Sequence, residues 1–388
     1  MNILLVGGDY GDNPRASKII SEIYKALIQI SSDNYWDTIT CKNGGTLPDL
    51  IEIYNSTWKS TQYDVVLWFP NVSNDLDHKY RDIKAHRNDL ILVTSKRNNN
   101  EYSFQYLINH ALHLKSNLFV EFSKVDGQIF TTLYDPLGCC WSEKTNYLPV
   151  FAYNLYERIN FLFKLKRQVS EQIIDDLPIH ISSEPDINKF LSFIRTSGEI
   201  FHKLILPDSN VTRFLGNASF RCTKGGFPSV RSKSNNKLIF VSKRNIDKTC
   251  IDQNGFVPVL LQTKTDKPLL YFGDYKPSVD TPIQMQLYNK YSWINYMLHS
   301  HVYIKDAPFT NVNFPCGSLE EIDEISSIVD VRQYMLFEED GKIKSPMEFG
   351  LSINLIGHGS IILANKLEYF DTIKYIPRPI PEICYKTS

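Results

Sequence analysis

The stretch "MLHSHVYI" occupies residues 297–304 and places two histidines, His299 and His301, two residues apart in an otherwise apolar run. Its length and its β-branched and aromatic content predict a strand. On a strand, residues i and i+2 point to the same face about 7 Å apart. The two imidazoles therefore either converge on one metal ion or are core residues satisfied by hydrogen bonds, and the pair alone does not choose between them. From Gly216 onward, short strands and turns prevail, punctuated by Gly225, Gly226, Pro228, Pro258, Pro277 and Pro282. That pattern predicts a mixed α/β arrangement with an antiparallel component.

The neighbouring segments add chemistry. "YKPSVDTP" (275–282) holds Asp280 after a Pro-Ser turn. Its carboxylate is either an acid/base group or the cap of a helix starting near Thr281-Pro282, since Pro favours the first helical turn. "FLGNASFRC" (214–222) sets Gly216, Asn217 and Ser219 in a loop leading into a strand. "LIFVSKRNIDK" (238–248) ends an apolar strand in Ser242, Lys243, Arg244 and Asn245, and "SINLIGHGSIIL" (352–363) places His358 between two glycines in an apolar run.

In this order the motifs are GNxSxR, a strand ending in small polar residues, KPSxD, HxH and a late HG. The set resembles the class II aldolase/adducin family, which includes zinc-dependent sugar-phosphate aldolases and ribulose-phosphate 4-epimerases. The resemblance covers roughly residues 187–365, about half the chain. It implies a C-terminal class II aldolase-like α/β domain with a mixed or antiparallel sheet, and Zn2+ (or another divalent metal) held by His299, His301 and His358. It implies Asp280 as the catalytic acid/base. Phosphate contacts would fall on Gly216 and Asn217, on Ser242 and Lys243, and on Ser278. A three-histidine site leaves one metal position open for substrate, and the implied reaction is retro-aldol cleavage or epimerisation of a phosphorylated or anionic sugar-like molecule.

The chain also departs from the family. "KPSVDTP" is closer to the epimerase form KPSSDTP, with Val279 in place of a serine, and "VSKRN" replaces the usual Thr-Pro-(Ser/Thr)-Gly turn. Lys243 and Arg244 are charged donors able to take over anion binding. Gly357 precedes His358 where the family usually has Asn. Homo-oligomers, commonly tetramers, are what the resemblance implies for assembly. The competing expectation is a non-catalytic interaction module like adducin, in which the fold persists without metal chemistry.

The N-terminal half reads differently. Strand-length runs at 2–8, 63–70, 89–96 and 117–123 alternate with helical spacing at 16–30 and 102–115, which implies βα units and a parallel sheet of Rossmann- or flavodoxin-like layering. A long amphipathic helix at 147–168 closes this domain, residues 1–168. A polar, Pro-containing linker follows at 169–186, and 187–388 forms the second domain. Gly7, Gly8 and Gly11 lie between the first strand and helix, as a tight turn or a phosphate cradle. The GxGxxG pattern is not met, and Asp9 and Asp12 would repel an anion. A nucleotide-using ligase or transferase with its main site here is the third expectation.

Composition narrows the rest. Forty-two Lys and Arg against forty-three Asp and Glu leave a net charge of −1, with no general pull toward nucleic acid or an anionic membrane. No apolar stretch reaches the roughly 18–20 residues that span a bilayer, and the N-terminus has no signal-peptide pattern. Seven cysteines without CxxC spacing suit reduced thiols and a cytoplasmic setting. Cys316 reads as a small buried residue ahead of a Ser318–Glu321 capping box.

Overall fold

The computed structural model describes residues 1–7, 14–32, 37–43, 63–69, 90–98, 101–166, 170–173, 186–205, 216–222, 238–262, 268–339 and 341–383. Gly8, Gly11, Asp9 and Asp12 lie outside them. The chain divides into two compact units: Met1–Arg167 with the returning segment Ile380–Cys384, and Gln168–Asp208 with Arg213–Pro379.

In the first unit, β1 (Asn2–Gly7), β2 (Thr38–Asn43), β3 (Val65–Trp68), β4 (Ile91–Arg97), β5 (Leu118–Val125), β6 (Gln128–Tyr134) and β7 (Cys139–Thr145) form one sheet. Its order is β2-β1-β3-β4-β5-β6-β7, completed by Glu382–Ile383. Pairing is parallel from β2 through β5. It turns antiparallel at β6 and β7, and the terminal strand pairs parallel to β7. Alternation along the strands sends Ile3, Leu5, Leu118 and Val120 to one face. There they meet Ile20, Ile23 and Leu27 of α1 (Pro14–Ser31). Phe119 points the other way, against Leu107 and Ala111 of α2 (Phe104–His113). The helix expected at 147–168 is α3 (Leu148–Lys166), whose Phe151, Leu155 and Ile159 recur at helical spacing on the first face.

Two features of this unit differ from expectation. The β6–β7 meander extends a parallel sheet with antiparallel strands whose mixed sequences, QIFTTLY and CCWSEKT, lack a two-residue alternation and so carry a weak signal. Cys139 is disulfide-bonded, while Cys41, Cys140, Cys222, Cys250 and Cys316 form no disulfide. The expectation of uniformly reduced thiols does not hold. The C-terminal segment returns to lie opposite Cys139, with Glu382 as its register partner, a juxtaposition that spacing along the chain cannot reveal. No helix among the described residues is long and apolar enough to cross a membrane.

The second unit contains β8 (Ser170–Ile173), α4 (Ile187–Ile205), β9 (Asn217–Arg221), β10 (Leu238–Ser242), β11 (Phe256–Leu260), β12 (Leu269–Phe272), α5 (Thr281–Lys290) and β13 (Tyr296–Ser300). Further on come β14 (Tyr303–Ile304), α6 (Glu321–Arg332), β15 (Phe337–Glu339), β16 (Lys342–Lys344), β17 (Gly350–Leu355) and β18 (Gly359–Ala364). Eight strands make a sheet of order β17-β18-β13-β9-β10-β11-β12-β8. It is antiparallel except where β8, from within the stretch expected as a linker, runs parallel to β12.

Helices cover both faces of this sheet. Phe190, Leu191 and Ile194 of α4 pack on Ala218, Phe220 and Leu298. On the opposite face Ile283 and Leu287 of α5, with Ile322, Ile325 and Val329 of α6, pack on Val241, Met297, Ile353 and Ile361. Arg221, at the end of the GNxSxR motif, closes the C-terminal end of α5 by donating to the carbonyls of Tyr288 (2.9 Å), Tyr291 (3.4 Å) and Ile294 (3.0 Å).

Candidate metal centre

Strand alternation positions the first histidine. Met297 packs in the cluster under α5 and α6 and Leu298 in the opposite one, so His299 shares the face of Met297. The N-termini of α5 and α6 cover that face, and they carry Asp280 and Glu321. His301 follows just beyond the end of β13. Its ring centroid is 4.9 Å from that of His299, closer than regular strand spacing because the strand ends at Ser300.

His358 was expected within an apolar strand. It lies instead in the tight turn joining β17 to β18, where its N–H donates to the Leu355 carbonyl at 3.0 Å. Gly359 makes the turn possible. Its φ is +142°, and a Cβ there would stand 2.0 Å from the Ser300 carbonyl oxygen, so only glycine lets the turn approach β13 so closely. The His358 ring comes to 4.6 Å from His299 and 5.2 Å from His301, centroid to centroid.

The three side chains are buried, and one ligand atom from each lies within 4.8 Å of the others. His299 Nδ1 is 2.9 Å from the Ser360 carbonyl, and His358 Nδ1 is 2.8 Å from Glu321 Oε1. Both inner nitrogens are thus engaged, while His299 Nε2 and His358 Nε2 are buried without a hydrogen-bond partner among the described residues. Buried polar atoms are rarely left so. Neutral imidazoles with one nitrogen anchored and the other open are the usual form of histidine metal ligands. The donor set fits a divalent ion such as Zn2+, with three protein ligands and one open position.

Electrostatics agree with neutral ligands at His299. Burial pulls its pKa down to about 4, and neighbouring His358 adds to the shift. Burial would also lower His358, but the Glu321 carboxylate overrides this and holds it well above the ordinary histidine value. Burial in turn raises Glu321, with His358 opposing.

Asp280 occupies the N-cap position of α5, yet its side chain does not cap the helix. Oδ2 accepts from Asn217 Nδ2 at 2.7 Å, and Oδ1 receives the Cys316 thiol at 3.5 Å. Its charge reaches His299. The carboxylate is therefore turned toward Asn217 and Cys316 and away from its own helix. Both polar atoms of the Asn217 side chain are engaged: Gln284 Nε2 donates to its Oδ1 while its amide holds Asp280.

The remaining expected anion contacts are placed as follows. Gly216 (φ +81°) precedes β9, and a Cβ there would stand 2.6 Å from the His299 carbonyl; the residue makes room for the metal strand. Ser242 is buried, and its Oγ accepts from the Ala218 N–H at 3.1 Å. The Ser278 N–H donates to the Ser242 carbonyl at 3.1 Å, and its own carbonyl receives the Thr281 hydroxyl at 2.6 Å. Lys243 Nζ sits 3.8 Å above the Tyr275 ring. Arg244 is exposed, donates Nε to the Pro277 carbonyl at 3.4 Å, and exerts its charge on Asp280.

The site contacts of three groups escaped the sequence reading. Glu321 is the acceptor for His358 and not part of a capping box; Ser318 instead donates to Glu320. Cys316 lies among Asp280, His358 and Glu321, where burial pushes its thiol up to about 11. Lys248 is buried, and its charge acts on Asp280 and His299. A Ser-x-x-Glu pattern and an "NIDK" turn carry no hint of these contacts. Three tyrosine hydroxyls of this unit are engaged in hydrogen bonds: Tyr288 with Ser219, Tyr303 accepting from the Gly357 N–H, and Tyr375 with Ser197.

No family model matches the chain, and no curated protein does. Among solved structures, the N-terminal class II aldolase domain of a conserved protein from Thermoplasma acidophilum is similar at 14% identity and TM-score 0.30. The alignment covers 52% of this chain and 93% of that one. The L-fuculose-1-phosphate aldolase from Thermus thermophilus is similar at 15% identity and TM-score 0.25, over 47% of this chain and 89% of that one. Likenesses at this level carry no argument about what this chain does.

Proposed function

We propose that the second unit is a divalent-metal-dependent lyase or epimerase that acts by retro-aldol chemistry on an anionic, sugar-like substrate. The observation that carries this reading is the convergence of His299, His301 and His358, two of them with buried, unpartnered Nε2 atoms, beside the Asp280 carboxylate. When bound, a divalent ion held by these three residues supplies Lewis-acid polarisation of substrate oxygens. The chain's own groups do the rest. Ser360 and Glu321 fix the orientation of His299 and His358. Asn217, itself held by Gln284, aims Asp280, whose carboxylate accepts a proton from the substrate carbon skeleton or hydroxyl and returns it.

Metal analysis of the purified full chain is the first test. Stoichiometric zinc or another divalent ion is expected, with most of it lost from the double variant His299→Ala, His301→Ala. Incubation with a panel of ketose phosphates should release an aldehyde or form an epimer. A protein that binds no divalent ion, and whose double variant behaves as the wild type, refutes the reading.

A second reading, a non-catalytic adducin-like module, draws on one observation. Asn217 and Ser242, expected to contact phosphate, spend polar atoms on internal hydrogen bonds. Metal binding without turnover of any ketose phosphate would favour it.

A further inference from the structure

The segment near the C-terminal end of the second unit reaches both histidine-bearing stretches. β19 (Tyr375–Ile376) pairs antiparallel with β14, which begins two residues after His301. The Lys305 N–H extends this pairing with a 2.8 Å bond to the Lys374 carbonyl. Two residues beyond β19, Arg378 is 6% exposed, and its Nη1 donates to the Gly357 carbonyl at 2.8 Å. Arginine is almost never so buried unless it serves a fixed partner, and a bond from a charged donor is stronger than a neutral one. Gly357 is the residue before His358. Its N–H is also met by a side chain, donating to the Tyr303 hydroxyl at 3.1 Å, and the Ile356 N–H donates to Thr310 Oγ1 at 3.1 Å. The β17–β18 ladder ends at the Leu355–Gly359 pair, so Gly357 has no ladder partner. Its φ is +70°, and a Cβ there would clash with the Asn313 side-chain amide. Side chains from elsewhere, not the sheet, therefore hold this turn.

We infer that Arg378 is a positioning residue of the metal centre: its guanidinium fixes the peptide from which His358 departs, and so the direction in which that ring meets His299 and His301. The inference rests on the metal-centre reading for the purpose of that placement. The Gly357 carbonyl and the His358 N–H belong to one planar peptide group. Arg378 grips its oxygen, and the Leu355 carbonyl receives its N–H at 3.0 Å. Glycine is the residue with the widest choice of φ and ψ, so releasing the oxygen frees the peptide plane to turn. Glu321 acts at the other end, on the ring nitrogen. Pro377 and Pro379 flank Arg378 and restrict its backbone to extended forms, so the arginine gives up little freedom in reaching the turn.

The test measures the zinc affinity of the full chain and the visible absorption of the Co2+-loaded chain, which reads ligand geometry. Arg378→Met keeps most of the apolar stem and removes the donors; Arg378→Lys keeps a charged donor. Zinc should bind about 10–100-fold more weakly in Arg378→Met, the range for losing an outer contact of a ligand, and the Co2+ spectrum should change. Arg378→Lys should recover most of both. Ser197→Ala removes the hydrogen bond that Tyr375 makes on the same segment and should leave both readouts as in the wild type. If Arg378→Met does not fold, Arg378→Gln, shorter and uncharged, takes its place with the same expected loss. Wild-type affinity and spectrum in the uncharged variant, or an equal loss in Ser197→Ala, overturn the assignment. A wild type that binds no divalent ion refutes the metal-centre reading alone. The placement of His358 is then read from its ring NMR signals, assigned by their absence from His358→Gln. They should shift in Arg378→Met and return in Arg378→Lys, and unshifted signals overturn the inference.

Discussion

The Glu321–His358 contact lends itself to a quantitative test. The two side chains are 4% and 2% exposed and lie 2.8 Å apart, so solvent does not screen them. With a metal bound, the carboxylate would keep a proton on His358 Nδ1 and leave Nε2 for the ion; without one, it holds the whole ring protonated. Glu321→Ala removes that acceptor and lets the ring choose either tautomer. Loss of such an outer contact weakens metal binding by about 10–100-fold, equivalent to about 1.4–2.7 kcal/mol. In the metal-free protein the same change leaves a buried imidazole unpaired, at a cost of about 3–5 kcal/mol. Glu321→Gln keeps the shape and a carbonyl acceptor for the Nδ1 proton, so its zinc affinity should fall by less than about tenfold. Zinc affinity is measured by competition with a chromophoric chelator, and stability by thermal melting with and without zinc. If Glu321→Ala binds zinc as tightly as the wild type and melts at the same temperature, the carboxylate does not position the ligand and the argument fails.

Other outcomes follow from single contacts. Asp280→Asn keeps an acceptor for Asn217 but removes the charge, so turnover of a ketose phosphate should drop by at least about 100-fold while zinc content stays whole; retained turnover would show that the proton moves elsewhere. Gly359→Ala forces a Cβ to 2.0 Å from the Ser300 carbonyl, whereas Gly341, at φ +69°, faces open space. Gly341→Ala should cost about 1 kcal/mol, and Gly359→Ala several times more, together with zinc binding, as read by denaturant melts. In the first unit, burial lowers His110 from 6.5 to about 4, with Lys96 and His113 adding to the shift. A histidine with a depressed folded pKa contributes stability that is full above the unfolded value and is lost as pH falls from about 6.5 toward 4. The pH slope of urea stability across that window should therefore flatten in His110→Gln; an unchanged slope counts against the assignment.

Much of the site was legible because it depends on short-range pattern. His299 and His301 share a face through the two-residue period of a strand, and the apolar runs on either side mark that strand as buried. The helix beginning at Thr281-Pro282 was equally readable, but the direction of the Asp280 side chain was not. A residue at an N-cap normally turns its carboxylate back onto its own helix, and here Asn217 and Cys316 draw it away. His358 was recognised as a partner and misplaced in a strand, because the positive φ of Gly359 is required by a neighbour, Ser300, that lies far away in sequence. The antiparallel strands β6 and β7 were missed for a related reason, since they lack a local two-residue period and become strands by pairing outward from β5.

The sequence by itself determined the elements, the alternation that buries them and the residue types able to hold a metal, because these follow from periods of two and 3.6 residues and from side-chain chemistry. Only the tertiary structure decided which nitrogen His299 and His358 present and which carboxylate holds which partner. Those properties depend on burial and on contacts between residues far apart in the chain. The contact from α6 to the β17–β18 turn that pairs Glu321 with His358 is created by packing and has no local signature.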